Sequence, residues 1–152
     1  MKKKEYANFI YQELDKLYPN AHCELNHKNA FELLIATILS AQCTDVRVNM
    51  VTPTLFEKFP NPDAMAKAKP AEVEKIIHST GFYKNKAKNI INCAKELKTK
   101  FNSEVPNNLD DLVNLPGVGK KTANVILGNA FNIASGVVVD THVMRISQLL
   151  KL

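Results

Sequence analysis

Apolar residues recur at helical spacing along most of the chain. In residues 3–18 they fall on a single stripe, and residues 30–42 are almost wholly apolar, which is typical of a helix at the centre of a core. The valine run at 137–139 is the one candidate strand, and a single short strand cannot form a sheet. The pattern therefore predicts an all-α protein.

Capping residues and prolines set the boundaries of the further helices. Thr44 or Asp45 caps a helix that runs to Phe59. The last helix reaches Leu152 with no glycine, proline or polar tail to end it, so we expect a C-terminally truncated chain. The other predicted segments are helices at 62–67, 70–79, 82–102, 109–114 and 120–131, a loop at 132–139, and a last helix capped by Asp140 or Thr141.

Composition narrows the class of protein. Of the 152 residues, 45% are apolar, which is enough for a core and excludes a disordered chain. No apolar run is long enough to cross a bilayer, and no apolar signal core follows the N-terminal lysines, so we expect a cytoplasmic protein. Cys23, Cys43 and Cys93 are odd in number and scattered, which favours reduced thiols over a disulfide framework or a zinc or iron–sulfur site.

The net charge of +5 is concentrated in one segment. Between Lys84 and Ser103 six lysines face one acid, Glu96. A basic stripe of this kind suits nucleic acid, although a solvated helix face would give the same pattern. The six are Lys84, Lys86, Lys88, Lys95, Lys98 and Lys100.

The most specific signal is the segment Leu115–Asn124, LPGVGKKTAN, between a short helix and an apolar one. Gly117 and Gly119 permit backbone angles that other residues resist, and they let the chain approach a phosphate closely. The amides from Gly117 to Lys120 then face outward at a helix N-terminus, where an anion is favoured, while Val118 packs back between the helices.

A P-loop and an ordinary helix–turn–helix corner are the two other interpretations of this segment. A phosphate-binding P-loop fails because Asn114 stands at its first glycine position, Lys121 stands in place of Ser/Thr, and a helix precedes instead of a strand. An ordinary helix–turn–helix corner would explain a bare Gly-x-Gly. The whole ten-residue string with helices on both sides makes it the minority interpretation.

Residues 109–131 resemble the helix-hairpin-helix motif of the endonuclease III family of DNA glycosylases. The resemblance implies an all-helical fold with an active site in a cleft between two domains. It also implies a hairpin that holds the DNA backbone through main-chain amides, beside a monovalent cation. The expected division is an N-terminal helix of the incomplete second domain at 1–22, a helical barrel domain at 23–134, and a return segment at 135–152.

Lys121 and Asp140 are the expected catalytic residues. In the family pattern Gly-x-Gly-x-Lys-Thr-Ala the lysine before Thr122 attacks the sugar C1′, and a Schiff base then leads to β-elimination. The amine must be neutral, which the helix dipole and neighbouring Lys120 both favour. The resemblance of VDTH to residues 139–142 gives Asp140 the role of activating the lysine or water, although Asp is also a favoured N-cap.

Two further segments match the family in the right order. SAQCTD at 40–45 resembles the motif whose glutamine enters the DNA stack, and GFYKNKA at 81–87 resembles one that carries an apolar wedge. Gln42 could instead end a helix, Phe82 could be core, and either lysine of the hairpin could be a surface residue. The expected DNA contacts are Gln42, Asp45, Phe82, Lys86, Gly117, Val118, Gly119, Lys120 and Thr122.

The resemblance implies a monomeric, nucleoid-associated enzyme that removes oxidised pyrimidines and cuts abasic sites in double-stranded DNA. Family members continue past this point and in most cases hold a [4Fe–4S] cluster with four cysteines. None of the three cysteines here matches, so we expect no cofactor in this chain. Without the segment that follows in the family, the helix at residues 3–18 should lose packing partners and expose part of its apolar stripe. The alternatives are a mismatch or adenine glycosylase, an inert DNA-binding fragment, and a hairpin module of an unrelated DNA-processing protein.

Overall fold

A computed structural model of the chain describes residues 2–152, and within this range it contains helices and no strand. The predicted all-α class is confirmed, and the valine run at 137–139 lies in a loop. Residues 78–80 form a short 3₁₀ turn after the fifth helix. The helices are α1 Lys3–Leu17, α2 Ala30–Leu39, α3 Asp45–Lys58, α4 Pro62–Ala66, α5 Pro70–Ile77, α6 Tyr83–Lys100, α7 Leu109–Val113, α8 Lys120–Ala130 and α9 Thr141–Leu149.

Short polar side chains cap four helices between residues 24 and 138. Asn29 accepts a hydrogen bond from the amide of Glu32, and Thr44 accepts one from the amide of Arg47. Asn61 and Asn108 cap α4 and α7 in the same way. Each cap satisfies an amide that has no acceptor inside its own helix, which is why the predicted starts are accurate.

Helix ends differ more from the prediction. The second helix ends at Leu39, three residues early, because Gln42 adopts a left-handed backbone with φ of 51°. The prediction that α9 runs to the chain end without a stop is also wrong. Lys151 is left-handed with φ of 56°, and the amide of Leu152 donates to Ser147 O at 3.0 Å. This turn satisfies carbonyls at the helix end.

Two compact units divide the chain: Glu24–Val138 forms one, and the described residues up to Cys23 with Val139–Leu152 form the other. The larger unit holds the core, with α2 at its centre. Leu33, Leu34 and Leu39 have no exposed surface, as the apolar run predicts. The three-part division made from the sequence stays a prediction.

The smaller unit buries little. Neither α1 nor α9 contains a buried residue, and Phe9, Leu14 and Leu17 on α1 are each about half exposed or more. This confirms the expected exposure of the apolar stripe. In the described range, no helix combines the length and the hydrophobicity that a membrane span requires.

Candidate functional site

The hairpin between α7 and α8 is built from successive tight turns. The amide of Leu115 donates to Leu112 O, and the amide of Val118 donates to Leu115 O, both at 3.1 Å. All three leucine and valine side chains are buried. Val118 was expected among the DNA contacts, but its amide is engaged inside the hairpin and its side chain anchors the loop. Its role here is to hold the turn.

The two hairpin glycines have different functions. Gly117 is left-handed with φ of 77°, and a Cβ there would lie 3.0 Å from Asn89 Cβ and 3.2 Å from Ile38 Cγ2. The loop therefore packs directly onto α6 and α2. Gly119 has an extended backbone with φ of −92°, so the expectation of an unusual angle there is wrong. The space around it is open, which leaves room for close approach of a ligand.

The start of α8 presents backbone donors and positive charge together. The first hydrogen bond of this helix runs from Ala123 N to Gly119 O at 2.9 Å, so the preceding amides have no helical acceptor. Gly119 supplies no side-chain cap. Lys120 and Lys121 are exposed, and Thr122 is half-buried. Open amides, the helix dipole and two ammonium groups together make this end of α8 favourable for an anion.

Asp140 lies in the smaller unit as the N-cap of α9. Its Oδ1 accepts a hydrogen bond from the amide of Val143 at 2.8 Å, and its carbonyl accepts one from Met144 N at 3.0 Å. The capping role considered from the sequence is confirmed, and Thr141 is the first helical residue instead of the cap. The cap fixes one carboxylate oxygen toward the helix.

Gln42, Phe82 and Gly117 converge on one cavity of about 260 Å³ in the larger unit. Phe82 is 68% exposed, so the alternative of a core role is wrong. Gln42 and Phe82 are both left-handed, with φ of 51° and 46°. For residues other than glycine this conformation costs about 1–2 kcal/mol each, so the surrounding packing must hold it. Asp45 is half-buried in the first turn of nearby α3, where a carboxylate suits the dipole.

Lys86 does not contact solvent as a DNA-binding lysine would. Its side chain is 4% exposed, and Nζ donates to Leu39 O at 2.8 Å and to Thr80 O at 2.9 Å. Burial lowers the pKa of Lys86, while the neighbouring Cys43 acts in the opposite direction. The expected DNA contact through this ammonium is therefore corrected to an internal cross-link. Its position four residues before buried Ile90 could have revealed this from the sequence.

The basic stripe is accordingly smaller than the sequence suggested. Lys98 pairs with Asp63 at 3.7 Å, and Lys100 pairs with Glu96 at 3.1 Å. Lys84, Lys88 and Lys95 remain exposed on one face of α6, since they are spaced by four and seven residues.

Sequence reasoning also missed Asn124, which ties the following loop to α8. Asn124 is buried, and its Oδ1 accepts a hydrogen bond from Ser135 Oγ at 2.7 Å. A Cβ at Gly136 would lie 3.1 Å from Asn124 Nδ2, so the loop backbone lies directly on the amide. A polar residue on the apolar face of α8 was the available signal.

The cysteines do not fit an iron–sulfur cluster. The [4Fe–4S] group takes four thiolates, whereas the chain has three cysteines. Burial, and then the charge of Glu96, raises the pKa of Cys93 to about 12, which leaves it a neutral core thiol. In residues 2–152 no three His, Cys, Asp or Glu side chains are grouped in a way that could hold a metal ion.

Comparison with known proteins identifies the family. Residues 35–152 match the family described as HhH-GPD superfamily base excision DNA repair protein. Endonuclease III of Synechocystis sp. is 53% identical over 150 residues, covering 99% of this chain and 68% of that relative. Endonuclease III of Bacillus subtilis is 46% identical over 142 residues, covering 93% of this chain and 64% of that relative.

Solved structures give the same result. The structure of a non-covalent endonuclease III–DNA complex superposes with a TM-score of 0.90 at 49% identity, covering 97% of this chain and 68% of that one. A trapped endonuclease III–DNA covalent intermediate has the same TM-score, identity and coverage. The chain thus spans about two thirds of the length of the relatives that it matches. It belongs to the HhH-GPD superfamily of base-excision DNA repair proteins, as a member of the endonuclease III family.

Proposed function

We propose that this chain binds double-stranded DNA at oxidised pyrimidines and abasic sites, removes the damaged base, and cuts the strand by β-elimination. The observation that carries the proposal is the position of Lys121 in the first turn of α8, beside amides without helical acceptors. A phosphate bound at those amides would place the adjoining sugar beside the amine. Binding of the backbone and alignment of the reacting carbon are then one event.

The proposed chemistry requires one nucleophile. The neutral amine of Lys121 attacks C1′ of the deoxyribose, the bond from C1′ to the base breaks, and the base leaves with a proton. Opening of the sugar gives a protonated Schiff base, which acidifies the C2′ proton. Loss of that proton forms the C2′–C3′ double bond and expels the 3′ phosphate, and water then releases the lysine.

Gln42 and Phe82 are proposed to fill the space that an extruded nucleotide leaves. A base held in the stack is out of reach of an amine on the protein surface, so it must be turned out of the duplex. Both side chains are exposed on the rim of one cavity, on backbones that are strained. Strain of this kind concentrates at sites of ligand contact. The hairpin glycine Gly117 lines the same cavity, which supports a wedge beside the turn that is proposed to bind the DNA backbone.

Four finer expectations belong to the same proposal. The resemblance to endonuclease III supports an oxidised pyrimidine as the lesion. The protein is also proposed to act as a monomer at the nucleoid. A monovalent cation bound by hairpin carbonyls would neutralise phosphate charge beside the open amides. The [4Fe–4S] cluster of full-length relatives has no ligand set in the described residues, and the chemistry at Lys121 uses none of its atoms.

Trapping with borohydride tests the proposal. A duplex with one abasic deoxyribose is incubated with the protein and sodium borohydride, which reduces the Schiff base to a stable secondary amine. We expect a covalent protein–DNA band and, without borohydride, a strand ending in the β-elimination product. Binding of the duplex without either product would contradict the proposal and favour the inert DNA-binding alternative. The exposed apolar faces of α1 and α9 are the observation that favours this alternative.

Replacement of Asp140 by asparagine separates its charge from its capping role. Asparagine caps a helix as well as aspartate does, so the bond to Val143 N and the folded state should be kept. The carboxylate charge that would stabilise the cationic sugar is lost, and strand cleavage of abasic DNA should slow by about tenfold, the equivalent of roughly 1.4 kcal/mol. Single-turnover kinetics measure this. Asp140→Ser, which also caps, should show the same loss; an unchanged rate in both would exclude the charge from the reaction.

A further inference from the structure

Lys86 connects two segments that are far apart in the sequence. Its ammonium lies below the surface and bonds to the carbonyl of Leu39, 47 residues away, and to that of Thr80, six residues away. The buried charge is satisfied by these bonds at a considerable cost in desolvation. A methionine would fill similar space with no charge to bury. Packing alone therefore does not account for a lysine at this position.

Both acceptor carbonyls stand just before a strained residue. Leu39 ends α2, three residues before Gln42, and Thr80 ends the 3₁₀ turn, two residues before Phe82. The last carbonyl oxygens of a helix accept no hydrogen bond from an amide of the same helix, and they would otherwise bond to water. The ammonium takes the place of that water. It thereby fixes the end from which each loop departs.

Gln42 and Phe82, with the loops that contain them, also lie close to Lys86. Gln42, Phe82 and Lys86 all line the same cavity. The amide of Lys86 donates to the carbonyl of Phe82 at 3.0 Å, so backbone and side chain of one residue hold both sides of the second loop. The left-handed backbones at 42 and 82 need such support, because local preference opposes them.

We propose that Lys86 is a positioning residue that locks the Gln42 loop and the Phe82 loop at a fixed separation, so that both side chains enter the DNA stack as one rigid wedge. This inference rests on the proposed function for its role in DNA repair, while the lock itself is a property of the free protein. Burial lowers the pKa of Lys86, in accord with an ammonium enclosed by the protein instead of one aimed at a phosphate.

Amide hydrogen exchange of the free protein tests the lock without DNA. In Lys86→Met the amides of residues 40–44 and 80–83 should exchange at least about tenfold faster than in the wild type, and both loops should change together. Lys84→Met is the matched control, since it removes the same charge from an exposed position two residues earlier. It should leave both loops as protected as in the wild type. Faster exchange in one loop alone, or in neither, would overturn the proposal.

A DNA probe tests what the lock is for. The probe is a duplex with a tetrahydrofuran abasic analogue opposite 2-aminopurine, whose fluorescence reports unstacking of the opposite base. At saturating protein, Lys86→Met should give less than about half of the wild-type fluorescence change, with an unchanged slope of log Kd against log salt. A slope reduced by about 0.9 would show that the ammonium neutralises a phosphate, which would overturn the positioning role.

Two further comparisons keep the outcomes separable. Lys86→Gln retains an N–H donor on a shorter side chain, so its exchange rates should lie between those of the wild type and Lys86→Met. If Lys86→Met does not fold, this variant decides the question by the same criterion of coupled loops. Failure of the wild type itself to bind the probe would contradict the proposed function, whereas the exchange result would still test the lock.

Discussion

Lys121→Ala should abolish borohydride trapping and lower strand cleavage of abasic DNA by about a thousandfold or more. The amine would form the covalent bond to C1′, and no alanine atom can replace it, so the loss should be of the size seen when a nucleophile is removed. Because Lys121 is exposed, the substitution should leave the melting temperature unchanged. The measurement is the yield of trapped complex and the single-turnover rate at saturating protein.

Lys120→Ala is the matched control for this prediction. It removes the same charge from the neighbouring exposed position at the start of α8. If Lys120 holds a phosphate, its loss should weaken binding and reduce the slope of log Kd against log salt by about 0.9, with trapping retained at saturation. Retained trapping in Lys121→Ala together with its loss in Lys120→Ala would mean that the lysine assignment is wrong by one residue.

Helix positions follow from the sequence because their determinants are local. Apolar spacing gives the buried face of α2, a threonine or asparagine cap gives the starts of α3 and α7, and proline gives the start of α4. The order of motifs also predicts the family, and the comparisons confirm it. These features require no knowledge of which segments meet in space.

The backbone conformations of Gln42 and Phe82 could not be predicted in the same way. The sequence predicts a helix that includes Gln42 and another that begins at Phe82, because single-residue preferences place neither residue in a left-handed conformation. A residue other than glycine keeps that conformation only with support from the surrounding structure. The Lys86 ammonium, held by carbonyls of Leu39 and Thr80, is the contact proposed to supply it. Lys86 shares a helix face with buried Ile90, but lysine is rarely buried in proteins, so the sequence favours a surface position for it.

The two glycines of the hairpin illustrate the same limit. Both were expected to be needed for their backbone angles, yet Gly119 has an angle that any residue adopts. Which glycine is left-handed depends on how the loop packs on α6 and α2, and the letters Gly-x-Gly do not encode that packing. Substitutions at the two positions therefore distinguish a conformational requirement from a requirement for open space.

Gly117→Ala should destabilise the protein by about 2–5 kcal/mol. A left-handed alanine costs about 1–2 kcal/mol, and forcing a methyl group into a packed site adds about 1–3 kcal/mol. The new Cβ would lie 3.0 Å from Asn89 Cβ, an atom next to the helix backbone that cannot turn away. Thermal denaturation should show a melting temperature lower by roughly 10 °C, and urea titration should give the free energy of unfolding.

Gly119→Ala provides the comparison that makes this prediction sharp. Its backbone is extended and no heavy atom lies within 4 Å of the added Cβ, so the free energy of unfolding should fall by less than about 1 kcal/mol, the cost of a poorer N-cap. The new methyl group would instead stand where a phosphate approaches the open amides of α8, so affinity for abasic DNA should fall although stability does not. Equal destabilisation by the two substitutions would refute the assignment of the packing constraint to Gly117. Unchanged DNA affinity in Gly119→Ala would show that no phosphate binds at this turn.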